Sequence, residues 1–105
     1  MCKNYFRNIL MVILTIGSLM KECEISSKNM LEIYKTIGKN VKKIRKAKDM
    51  SQLALALAIG HKAVGTVSMA ELCLNGKHFN IEHLYKIADV LEVDVCDFFK
   101  NTNPS

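Results

Sequence analysis

The stretch Met50–Glu71, MSQLALALAIGHKAVGTVSMAE, limits the fold more than any other part of the chain, because its punctuation describes two short helices separated by one tight turn. Ser51 stands where a side-chain oxygen can cap a helix start, and Leu55, Ala56 and Ile59 then recur on one narrow apolar face. Gly60 breaks that helix, and Val67 and Ala70 give the second one an inward face.

The flanks fit the same architecture. Upstream, Ile33, Ile37, Val41 and Ile44 recur at spacings of four, four and three, which predicts a helix over Leu31–Lys48. Its opposite side carries Lys39, Lys42, Lys43, Lys46 and Lys48, with Arg45 near the boundary, and no acid interrupts the series from Lys35 until Asp49. Downstream, Asn75-Gly76 marks a turn and Asn80 can cap a helix over Ile81–Leu91, with Leu84, Ile87, Ala88 and Leu91 as its apolar stripe. A fifth short helix is expected after Asp94, with Val95, Phe98 and Phe99 on its apolar side, and the tail Asn101–Ser105 should fray. No alternating strand pattern of any length occurs, so the expected fold class is all-α.

A chain of 105 residues, half of them apolar, suits one domain with a modest core. Fifteen Lys and Arg against ten Asp and Glu give a net charge of +5 and a pI near 9.1, which points to an anionic partner. Cys2, Cys23, Cys73 and Cys96 form no C-x-x-C pair, so neither a zinc ribbon nor a redox motif is written, and free thiols in a reducing cytoplasm fit best. Cys73, His78 and His83 stand five residues apart, but a loop position beside Lys77 and a place in the first turns of a helix explain the two histidines without a metal. Glycine-rich phosphate loops, G-x-S-x-G and suggestive carboxylate pairs are all missing, and Cys96 reads as a core thiol, so no enzyme activity, cofactor or metal is expected.

Residues 1–29 are of another kind: a basic start with Lys3 and Arg7, the apolar run Ile9–Met20, and a mixed segment to Asn29. The run is shorter than the ~20 apolar residues of a membrane span, so stable insertion is not expected, and it lacks a clean signal-peptide cleavage site. It reads as a docking or dimerisation helix, as a weak membrane-surface anchor, or, preferred here, as a stretch preceding a true start at Met30. The expected division is therefore an apolar extension over 1–29, a domain over 30–100 and a flexible tail over 101–105.

Taken in order, the first helix, Ser51-Gln52, Leu55-Ala56, Gly60, Val67-Ser68, Glu71, Asn75-Gly76-Lys77 and Leu84–Leu91 resemble the Cro/repressor, or Xre-like, helix-turn-helix family over about residues 33–99. The resemblance implies a compact five-helix, lambda-repressor-like bundle in which the third helix enters the DNA major groove and the second crosses the backbone. It implies phosphate contacts from Gln52 at the start of helix two, with Ser51, Lys42, Lys46 and Lys77 as further candidates, a role that the free N–H groups of a helix start suit independently. It also implies a structural ion pair between Arg45 and Glu71.

Two departures limit the transfer of base-reading residues. Gly60–Glu71 is one residue longer than usual, and the stretch from Glu71 to helix four is longer by several. With Glu71 as anchor, Ala63, Val64, Gly65 and Met69 face base edges, and Lys62, Thr66 and Ser68 lie beside them. That set is poor in polar readers, so apolar contact with thymine methyls, Lys62 to guanine, or DNA shape must carry more of the discrimination. Gly65 either permits close approach to DNA or belongs to a longer turn. The resulting expectation is a sequence-specific regulator of transcription, a repressor or autoregulator that occupies an operator on double-stranded DNA as a homodimer, with Val95, Phe98 and Phe99 at the dimer seam. Two alternatives stand beside it: an antitoxin that binds a toxin partner through residues 1–29, and a protein-interaction module without DNA reading.

Overall fold

The computed structural model describes residues 22–60 and 64–103, Val64 by its backbone alone. Helix α1 spans Ser27–Ala47 and so begins four residues before the Leu31 expected from periodicity. The cause is a capping box: Ser26 Oγ accepts the Asn29 N–H at 3.1 Å, and Asn29 Oδ1 accepts the Ser26 N–H at 3.1 Å. The boundary expected between residues 29 and 30 therefore falls inside α1. The expected face is the inner one, with Ile37 and Val41 buried and Ile33 and Ile44 packed at its edge. A left-handed Asp49 (φ 56°) turns the chain away from α1, and the Met50 N–H bonds back to the Arg45 carbonyl at 3.1 Å.

Helix α2 (Gln52–Ala58) starts as its sequence foretells, with Ser51 Oγ accepting the Ala54 N–H at 3.0 Å. It buries Leu55 and Ala56, then Ile59, and Gly60 follows at φ 85°. Helix α3 (Val64–Leu72) turns Val67 and Ala70 into the core and stops at Cys73, itself left-handed at φ 56°. The extra residues before the next helix are taken up by a 3₁₀ turn, Leu74–Gly76, with Asn75 and Gly76 both at positive φ, and by Phe79, which folds into the core. Helix α4 (Ile81–Leu91) is capped by Asn80, whose Oδ1 accepts the His83 N–H at 2.7 Å, and ends at a left-handed Glu92.

The fifth helix of the expected bundle is a single 3₁₀ turn, Val95–Phe99, opened by Asp94 Oδ1 accepting the Cys96 N–H at 2.9 Å. Five residues between that cap and the extended Lys100 are too few for an α-helical ladder, but enough to drive Phe98 into the core, where it is fully buried. Asn40 fastens the turn to α1, its Nδ2 donating to the carbonyls of Phe98 and Lys100, each at 2.9 Å. Among the described residues the architecture is thus four α-helices and two 3₁₀ turns, without a strand. Helix α1 packs on α3 and the C-terminal turn, and α2 packs on α3 and α4, around one apolar cluster.

Phe98 is corrected as a dimer-seam candidate, because its ring is spent on the monomer core. Of the three residues named for that role, Val95 is half-buried against the core and Phe99 stays exposed.

Candidate nucleic-acid interface

What holds α3 in place is polar and buried. Arg45 of α1 forms a fork on Glu71 of α3, with Nε to Oε2 at 2.7 Å and Nη2 to Oε1 at 3.1 Å, while Nη1 donates to the Met50 carbonyl at 2.7 Å. Gln52 completes the group through Nε2 to Glu71 Oε1 at 2.8 Å. Arg45 is 5% exposed and Glu71 2%, so an isolated charge here would be costly, yet every polar atom of the pair meets a partner. A planar guanidinium against a carboxylate fixes both distance and orientation, so α1, the start of α2 and the end of α3 are held as one rigid corner.

A second contact sets how close α3 can lie. Gly38 of α1 sits directly against the backbone carbonyls of Ala70 and Glu71, and a methyl group placed there would stand 2.8 Å from the Ala70 oxygen and closer still to that of Glu71. No other residue allows this approach. Its signal in the sequence is faint, since a glycine inside a helix by itself reads only as a weak position.

Lys42 and Lys46 follow Gly38 at intervals of four, so the row 38, 42, 46 runs along the side of α1 that meets α3. Lys46 is exposed and Lys42 half-buried, and among the described residues none of Lys39, Lys42, Lys43, Lys46 and Lys48 has an acidic partner. The result is a row of uncompensated positive charge beside the anchored helix. Lys77 is exposed in the connection that follows α3.

On α3 itself Gly65, Ser68, Met69 and Leu72 follow the spacing of one helical face, pointing away from Val67, Ala70 and Glu71. Leu72, 51% exposed, was not among the residues expected on this face. Thr66 lies at its margin, half-buried. Gly65 belongs to the helix rather than to a longer turn, and the space where its side chain would stand is open. Lys62 and Ala63, and the side chain of Val64, all expected at the base edges or beside them, lie outside the described residues. Ser51 uses its hydroxyl as the α2 cap, and the Gln52 side chain is turned to Glu71 rather than outward. The Gln52 side chain, expected at a phosphate, donates from Nε2 to Glu71, and its backbone N–H lies in the first turn of α2, where such groups lack helical partners.

Cys73, His78 and His83 are dispersed: Cys73 is buried, His78 stacks on Tyr34 at 3.7 Å between ring centroids, and His83 meets Phe79 edge-on. Among the described residues no group of His, Cys, Asp or Glu side chains could hold a metal, and no helix is long and apolar enough to cross a membrane.

The order of a capped short helix, a glycine turn and a second helix locked to the first helix of the bundle is the arrangement of a family whose helix-turn-helix model matches residues 41–98, over half of the chain. The chain belongs to the Cro/Xre-like helix-turn-helix family. Curated proteins and solved structures supply no match to it. As a helix-turn-helix protein it is a DNA-binding regulator of transcription, and the elements just described are the parts that such a protein brings to a duplex. The match begins within α1 at Val41 and ends at Phe98, so it takes in the Arg45–Glu71 corner and the whole of α2, α3 and α4.

Proposed function

We propose that this helix-turn-helix protein represses transcription by occupying an operator in double-stranded DNA. Helix α3 lies in the major groove, the start of α2 at Ser51 and Gln52 meets a phosphate through backbone N–H groups, and Lys42, Lys46 and Lys77 neutralise phosphates on either side. The observation that carries this reading is the buried Arg45–Glu71–Gln52 corner, which fixes a helix whose outer face is left free. A reading helix needs both properties, because base contacts must meet the groove in one register.

The protein binds as a two-fold homodimer on half-sites about one helical turn apart, and Phe99, exposed beside half-buried Val95, is the residue offered to the seam. Residues 26–100 are sufficient for this activity, the α1 cap included.

The experiment is selection of bound duplexes from a random pool, followed by gel shift at several salt concentrations and transcription from a template whose promoter overlaps the selected site. A steep fall of affinity with salt and occlusion of the promoter are expected. Retention of no duplex at low salt, or a bound site without effect on transcription, overturns the reading.

A further inference from the structure

The outer face of α3 has an unusual chemistry for a groove-reading surface. Its described residues, Gly65, Ser68, Met69 and Leu72, carry no Arg, Lys, Asn, Gln, Asp or Glu, the side chains that make paired hydrogen bonds to base edges. Two of the four are large and apolar, Leu72 is half exposed, and neither packs into the core cluster. Gly65 leaves open space in front of the backbone, so the helix can approach the floor of the groove more closely there than any side chain would allow.

One base-pair feature in the major groove matches such a surface: the C5-methyl group of thymine, the single apolar protrusion among the donors and acceptors displayed there. Accepting the DNA-binding reading above, we infer that the protein selects its site by apolar contact with thymine methyls, through Met69 and Leu72, with Gly65 permitting the approach. The flexible thioether of Met69 can follow a methyl group whose position shifts with local groove geometry, and the lysine row on α1 supplies the sequence-independent attraction that apolar contacts lack. The same face could instead meet an apolar protein surface. The unpaired lysines running beside it favour the polyanion.

The test uses the full chain and duplexes recovered from the random pool. In those duplexes thymine is replaced by uracil, position by position, which removes the methyl group and leaves every hydrogen-bonding group unchanged. Affinity is expected to fall about threefold to fourfold for each contacted thymine, the value of one buried methyl-sized group. In Met69→Ala or Leu72→Ala the penalty at one or more of those positions should vanish, because the partner of the methyl is already gone. Neither side chain belongs to the core cluster, so both variants should keep the wild-type circular dichroism, with a small change of melting temperature at half-buried Met69. Selected sites without thymine in the half-site, or duplexes bound equally with uracil and thymine, overturn the inference while leaving the DNA-binding reading standing. Retention of no duplex overturns both, and binding of an apolar peptide surface by the same residues would then identify the other partner.

Discussion

The two faces of α3 differ in nearly every property that can differ within a nine-residue helix. The inner face puts Val67 and Ala70 into the core and Glu71 into a fork with Arg45, while the outer face leaves Gly65 and Leu72 exposed and Met69 half-buried outside the core cluster. The inner face is therefore tied to folding, and the outer one is free to be shaped by what it reads. A substitution inside should cost stability and carry binding with it; a substitution outside should change binding without destabilising the fold.

Glu71→Ala should break this separation most severely. Removing one partner of a buried pair strands the Arg45 charge, at a cost of about 3–5 kcal/mol in urea unfolding. If replacing both partners with Arg45→Met and Glu71→Leu recovers more than half of that loss, the penalty is desolvation of a lone charge; if it recovers nothing, the fork itself supplies the stability. Gly38→Ala should come next, about 1–3 kcal/mol by the same measurement, because its methyl group meets two backbone carbonyls that cannot rotate aside. Wild-type stability in that variant would mean that α1 and α3 are not held as closely as described.

Gln52→Ala sharpens the comparison at the edge of the interface. Expected from the resemblance at a phosphate, Gln52 is also half-buried and bonded to Glu71, and its loss should cost about 1–2 kcal/mol. On the outer face, Gly65→Ala should raise stability by up to about 1 kcal/mol, since alanine is the better helix former and the space is open. The same change should weaken operator binding in a gel shift. A gain in both would show that the groove does not approach Gly65. The smallest effect concerns the domain edge. A chain beginning at Met30 should fold and bind, but melt with about 1 kcal/mol less stability than one beginning at Ser26, which keeps the α1 capping box.

Legibility in the sequence followed the same division. Helices α1 and α4 are amphipathic, so Ile37, Val41, Leu84, Ile87 and Leu91 could be assigned to the core from spacing alone. Helix α3 is apolar on both faces, which erases its periodicity and leaves its start to be guessed from Glu71. The contacts that fix its position are tertiary: Gly38 meets residues more than thirty positions away, and Asn40 reaches carbonyls 58 and 60 positions distant. No local pattern encodes either. Phe98 and Phe99 are adjacent and equally apolar, and only the 3₁₀ geometry decides that Phe98 is the one turned inward. Gln52 differs for another reason: the resemblance implies a phosphate partner for its side chain, whereas in this fold its amide donates to the carboxylate of Glu71.

Three helix ends, at Asp49, Cys73 and Glu92, are closed by left-handed residues other than glycine. For a residue with a Cβ that conformation costs on the order of 1–2 kcal/mol, less for an aspartate. The domain thus sits below the stability its own backbone permits, with headroom recoverable by glycine replacement at exposed Asp49 and Glu92, whereas Cys73 is buried and directly follows Leu72. For anyone altering the outer face of α3 to redirect the protein to a new site, Asp49 and Glu92 are where tolerance to damaging substitutions can be raised in advance, without touching a residue proposed to read the groove.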